Sequence, residues 1–226
     1  MNKNTAILIF ANSAEKEAER KSFLSSDVFS ALNKQTLKTV EKSGIEYFHF
    51  SEKNQVGNSF GERFSNAIET IFKKGFDNVI TIGNDTPHLK TSHLIDTIHQ
   101  LEKNQLVLGP SKDGGFYLMG IKKEHFNKQT FLNLPWQTRF LNSYIAKISS
   151  SKNSEIKFLE SLNDLDSKED IKKILHSFKA IPTSILKLLK TLFFIDKRVI
   201  FYQKNNFYNS FTSLYFNKGS PFVFSI

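Results

Sequence analysis

Between residues 5 and 178, apolar runs of strand length alternate with amphipathic helical stripes. That alternation restricts the chain to an α/β fold around a mostly parallel sheet. Residues 5–11 (TAILIFA) form a continuous apolar run, as expected of a strand buried on both faces. Phe29, Leu32, Leu37 and Val40 share one helical face, and Gly44 is placed to end that helix. Residues 45–50 (IEYFHF) read as a second strand. Residues 59–74 carry the clearest helical stripe, with Ser59 and Glu62 at capping-box spacing. Residues 78–82 (NVITI), 105–108 (QLVL) and 116–121 read as strands, and 156–159 as a short one. Helices are expected from Thr91, over 137–148, and from Ser167, which again stands three residues before an acid, Asp170. The expected fold is a three-layer α/β/α sandwich. In such sheets ligands bind at the carboxyl ends of the strands, near the point where the strand order reverses.

Composition narrows the function classes. The 226 residues include no cysteine, which excludes a disulfide framework, a thiolate metal site and a cysteine nucleophile. No apolar run approaches the length of a membrane span, and the first residues lack a secretory pattern, so a cytoplasmic protein is the expectation. The net charge of +9 is unevenly distributed: residues 1–170 are nearly neutral, while residues 171–226 hold nine Lys/Arg and only one acid. Nine Phe and three Tyr accompany those charges. The chain therefore divides into a domain over 1–178 and a basic, aromatic-rich extension over 179–226. The extension could be a packed layer with solvated lysines, a surface that meets a membrane peripherally, an RNA or an acidic partner, or a homodimer interface. Because the basic excess lies outside the domain, no nucleic-acid partner is expected.

Several residues could carry chemistry. Asp85 follows a strand into a turn stiffened by Gly83 and Pro87, a fit position for a ligand to a hard divalent ion. An Asx-turn is the alternative. Lys112-Asp113-Gly114-Gly115 could bring backbone N–H groups close to an anion, or could be a plain turn between strands. Asp164 and Asp166 precede the helix from Ser167 and could add metal ligands opposite Asp85, or could simply favour the helix start. Arg63 sits near a helix N-terminus and could hold a phosphate or form a surface ion pair. Trp136 is either a stacking platform or a packing residue. The six histidines have no zinc-site spacing, and no GxSxG, Walker or GxGxxG motif is present.

Five blocks occur in order: GNSFGERF (57–64), IGNDTP (82–87), LGPSKDGGFYLMG (108–120), PWQT (135–138) and LDSKEDI (165–171). Together they resemble a bacterial glycosyltransferase-A-like family, the selenium-domain-associated transferase group. More distantly, they are similar to nucleotidyltransferases that make molybdopterin dinucleotides and the lactyl-guanosine precursor of a deazaflavin. The resemblance covers about residues 5–175. It implies a nucleotide-diphospho-sugar transferase fold and transfer from a nucleotide or nucleotide-sugar donor to a small-molecule acceptor, assisted by Mg²⁺ or Mn²⁺. It implies Asp85 and Asp113 as catalytic, Asp85 and Asp166 as metal ligands, and Arg63, Asn84, Lys112, Gly114, Gly115, Trp136 and Thr138 as substrate-binding. The first expectation is glycosyl transfer. The alternatives are nucleotidyl transfer onto a phosphorylated small molecule, or a non-catalytic binding protein that kept the fold. One departure stands out. Where the family has a loop with Pro, Gly and Lys-Thr-Arg, residues 12–21 read NSAEKEAERK. Three glutamates there would repel a diphosphate, with Lys16, Arg20 and Lys21 to compensate in part.

Overall fold

The unbroken apolar run near the N-terminus becomes strand β1 (Thr5–Phe10), and its side chains divide between two cores. Ala6 and Leu8 enter one, and Ile7 and Ile9 enter the other, as the two-residue period of a strand requires. The computed structural model describes residues 4–151, 155–177 and 180–192. After β1 come α1 (Ala14–Arg20), α2 (Ser26–Glu41), β2 (Glu46–Phe50), α3 (Phe60–Lys73), β3 (Asn78–Ile82) and α4 (Thr91–Lys103). Then follow β4 (Leu106–Pro110), β5 (Phe116–Lys122), α5 (Lys128–Leu132), α6 (Leu141–Ser151), β6 (Ile156–Phe158) and α7 (Lys168–Leu175).

The six strands form one sheet in the order β2-β1-β3-β5-β4-β6. Only β5 runs antiparallel, pairing with β3 on one side and β4 on the other. The β4–β5 link is therefore the tight turn expected at Lys112–Gly115, while the parallel neighbours are joined by crossovers. On one face α3, α5 and α6 pack through Phe64, Ile68, Ile71, Phe131 and Leu141. On the other, α2 and α4 pack through Val40, Leu94 and Leu101. The expected three-layer α/β/α sandwich is the observed architecture. No helix among the described residues is long and apolar enough to cross a membrane.

Local signals set the helix starts. Ser59 accepts from the Glu62 N–H and Glu62 reaches back, a complete capping box. Ser167 caps α7 through the Asp170 N–H. Two expectations shift. At α4 the cap position is Lys90, whose N–H donates to His93 Nδ1 at 3.0 Å, while the Thr91 hydroxyl donates to the Thr39 carbonyl at 2.9 Å. The helix expected from residue 137 starts at Leu141, because Gln137 adopts a left-handed φ of 58°. Residues 14–20, within the altered segment 12–21, form a helix of their own, capped by Ser13, which is itself tied to Glu52 by two hydrogen bonds of 2.8 and 3.0 Å.

Of the extension expected from residue 179, residues 183–192 are helical. Ile185 and Leu189 are fully buried against Val28, Phe29 and Leu32 of α2 and Ile171 and Ile174 of α7. The remainder, to which the expectations of membrane contact and a homodimer attach, lies outside the described residues. Large-to-small changes at buried Ile and Leu cost about 2–5 kcal/mol. Ile185→Ala and Leu189→Ala should each lower stability by about that much in urea unfolding, if this helix is part of the core. A midpoint unchanged in both variants would show that it is not.

Candidate functional site

The strand order reverses between β1 and β3, and the segments leaving their carboxyl ends open a crevice there. Asn12 leaves β1, and Asn84 and Asp85 leave β3. Asp113 leaves β4, on the turn that returns as β5. Asp164 and Asp166 lie between β6 and α7, in a segment stitched back to the sheet. Leu162 N–H donates to the Pro110 carbonyl at 3.1 Å, Lys112 N–H to the Leu162 carbonyl at 3.1 Å, and Leu165 N–H to the Asp85 carbonyl at 2.9 Å. These bonds draw the acids from three separate turns to one place.

At the centre is the ammonium of Lys21, whose side chain is 5% exposed. Its Nζ lies 2.6 Å from Asp166 Oδ1, 2.9 Å from Asp85 Oδ2 and 3.3 Å from Glu17 Oε1. It also donates to the Leu165 carbonyl at 3.1 Å. Burial works against this charge, but Asp85 and Asp166 outweigh it and push the Lys21 pKa above its ordinary value. Of the three glutamates in residues 15–19, only Glu17 is buried. Burial raises its pKa, but hydrogen bonds from Arg20 and Asn12 and the Lys21 charge hold it below the usual range. Glu19 pairs outward with Lys16 at 2.8 Å. Of the three, Glu17 alone lines a chamber, and it already has partners.

One ammonium does not balance the acids beside it. Carboxylate oxygens of Asp113, Asp164 and Asp166 lie within 4.8 Å of one another. Burial, and then the Asp85 charge, push the Asp164 carboxyl well above its ordinary value, although the Thr86 hydroxyl donates to it. Asp166 is raised by burial and by Asp85, against the pull of Lys21.

Two chambers meet at Asp113. The first, of about 310 Å³, has Phe10, Phe60, Phe64, Phe116 and Trp136 as its apolar wall. Arg63, Asn84, Asp85 and Asp164 supply its polar part. The second, of about 500 Å³, is lined by Arg20, Lys21, Ser22, Thr138, Arg139 and Asp166 among others. Gln137 and Gly115 border both. Trp136 is held in the wall: its Nε1–H donates to the Phe131 carbonyl at 2.6 Å, and its ring lies 5.1 Å from that of Phe64. A Cβ on Gly61 would come within 2.8 Å of the indole, so that glycine makes the room Trp136 needs.

The structure brings Arg63, Asn84, Asp85, Asp113, Gly115, Trp136 and Asp166 to this crevice. Thr138 borders the second chamber, with its hydroxyl donating to the Pro135 carbonyl at 2.8 Å. Asn84 donates to Asn33. Lys112 is exposed and lines neither chamber. Gly114 has φ 97°, and a Cβ there would run into the Arg139 carbonyl, so it serves the close approach of two loops. Sequence reasoning treated Lys21 only as compensation and missed Gln137 and Arg139. The Arg20-Lys21 pair at the end of the segment opening from β1 was the available signal for Lys21.

The acid cluster fixes a sign for pH dependence. Asp164 and Asp166 titrate above the usual carboxylate value near 3.8, so the folded chain binds more protons than the unfolded chain in the window above it. The contribution of these two groups to stability should therefore fall as pH rises through that window. Asp164→Asn keeps an acceptor for Thr86 and removes the charge. It should raise the melting temperature more at pH 8 than at pH 5. An equal loss at both pH values would contradict this electrostatic account.

Known structures supply the context. A protein from Desulfovibrio desulfuricans G20 described as a "putative nucleotide-diphospho-sugar transferase" is 20% identical, with a TM-score of 0.72 over 84% of this chain and 95% of its own. The 4-diphosphocytidyl-2C-methyl-D-erythritol synthase of Anaerococcus prevotii DSM 20548 is 11% identical, with a TM-score of 0.52 over 76% of this chain and 97% of its own. At such identities the likeness is one of fold, and the fold is that of the nucleotide-diphospho-sugar transferases. No curated protein matches the chain in sequence. The family model described as "Uncharacterized protein conserved in bacteria (DUF2064)" matches residues 14–138, and the chain belongs to that family.

Proposed function

We propose that the protein transfers a group from a nucleotide-activated donor to a small-molecule acceptor, with a divalent ion held by Asp113, Asp164 and Asp166. Glycosyl transfer from a nucleotide sugar is the first form of this reading. The observation that carries it is the acid triad, placed where the two chambers meet at the carboxyl ends of the strands.

The residues suit Mg²⁺ or Mn²⁺. All three ligands are hard oxygens, and oxygens sharing one such ion stand roughly 3–4 Å apart, a small adjustment from the spacing in the structure. Burial, and then the Asp85 charge, favour protons on Asp164 and Asp166, and an ion held there would displace them. When bound, the ion would offset charge developing on a phosphate leaving group. The chain's own groups do the rest. Lys21 holds Asp85 and Asp166 in place as a fixed counter-charge. The aromatic wall offers ring faces to a planar base, excludes water from one side of the donor, and leaves the Arg63 guanidinium to meet an anionic group.

Nucleotidyl transfer is the second reading. In the second chamber cations outnumber acids three to two, which suits an acceptor that already bears a phosphate. The leaving group separates the two readings.

The test is turnover of nucleotide sugars and nucleoside triphosphates with Mn²⁺, analysed by product. Release of a nucleoside diphosphate is the expected result for glycosyl transfer, and release of pyrophosphate for nucleotidyl transfer. Asp113→Asn and Asp164→Asn should each lower the rate at least about 100-fold in folded protein. Full activity in either variant would remove the triad from the reaction.

A further inference from the structure

We propose that the second chamber is a separate binding site for a small oxyanion-bearing substrate, and that Arg139 is the residue that recognises it. This rests on the group-transfer reading above and adds the class and seat of the second substrate.

Electrostatics distinguish the chambers. Around the first, four acids (Glu17, Asp85, Asp113 and Asp164) face two arginines, Arg20 and Arg63. Around the second, Arg20, Lys21 and Arg139 face Asp113 and Asp166. An anion without its own metal therefore meets less repulsion at the second set than at the first. Arg20 and Lys21 are already engaged with Glu17, Asp85 and Asp166. Arg139 is not: among the described residues its guanidinium has no carboxylate partner and lies 4.9 Å over the Phe140 ring. With no carboxylate on it, the guanidinium keeps its N–H fork available, the donor set that recognises phosphate or carboxylate.

The backbone holds Arg139 beside Asp113. Gly114, with its left-handed φ of 97°, lets the Arg139 carbonyl press against the turn that carries Asp113. Asn142 then ties the two loops together: its N–H donates to the Gly114 carbonyl at 3.1 Å, and its side-chain amide donates to the Gly115 carbonyl. Between Trp136 and Thr138, Gln137 is the only non-glycine residue with positive φ among the described residues, and it borders both chambers. Backbone held in such a conformation at a cleft is over-determined by its surroundings. Here Trp136 anchors one side, and the Thr138 hydroxyl the other. The loop from 135 to 142 is thus built to present Gln137 at the seam and Arg139 over the second chamber.

The test is a phosphorus NMR titration of the full chain with inorganic phosphate in metal-free buffer, with acetate as competitor. Saturable binding is expected. Arg139→Gln changes an exposed side chain and should weaken it about tenfold or more, as expected for loss of a hydrogen bond to a charged group. Arg63→Gln should leave it unchanged. Competition by acetate at equal concentration would assign the oxyanion as a carboxylate, and its absence would assign a phosphate. No saturable binding, or binding lost in Arg63→Gln and kept in Arg139→Gln, would overturn the inference. Arg139-dependent binding in a protein that turns over no nucleotide would leave this site standing and remove only the donor reading.

Discussion

The ammonium of Lys21 is the interaction on which the site depends. It brings one positive charge to the meeting point of Glu17, Asp85 and Asp166, groups from α1, the end of β3 and the segment before α7. The net worth of such a buried pair to folding is small, because desolvation takes back most of the attraction. Its removal is another matter: an uncompensated buried charge typically costs about 3–5 kcal/mol. Lys21 therefore acts less as glue than as a condition that lets several carboxylates share a half-buried crevice. It satisfies that condition incompletely. Burial and the Asp85 charge still hold the Asp164 and Asp166 carboxyls above their ordinary values.

Topology explains why the acids are there. Parallel strands point their carboxyl ends the same way, so turns distant in sequence converge on one rim. The antiparallel β5 adds a second contribution: because it begins at the rim where β4 ends, the short Asp113–Gly115 turn lies within the crevice rather than at the far edge of the sheet. The isolated bridge between Ser111 and Leu162 extends this order past β6 and carries Asp164 and Asp166 inward. The same rim supports an aromatic wall on the α3 side and a second chamber on the other side of Asp113, so one turn borders two compartments.

Much of this was legible in the sequence, and for local reasons. The capping box at Ser59 and Glu62, the two-faced burial of β1 and the acid-bearing turns at Asp85 and Asp113 are encoded within a few residues of each other, and each appears as read. What the sequence hid is tertiary. Lys21 and Asp85 are 64 positions apart, and nothing near either residue announces the other. Asp164 reads as ordinary helix-start electrostatics until its half-buried place in the acid cluster is seen. The segment 12–21 lacks the Gly and Pro expected of a phosphate loop, and it folds instead as a short capped helix whose one buried glutamate is neutralised by its neighbours. Gln137 looked like the start of a helix, since a left-handed φ at a glutamine is imposed by the loops packed around it and leaves no compositional trace.

The central claim is that the crevice holds one divalent ion on Asp113, Asp164 and Asp166, while Lys21 keeps its place between Asp85 and Asp166. A crystal structure with Mn²⁺, with the metal located from its anomalous scattering, tests this directly. The account predicts a single manganese peak among the three aspartates, with Lys21 Nζ still on Asp85. A peak between Asp85 and Asp166 with Lys21 displaced, or an empty triad at saturating Mn²⁺, would contradict it.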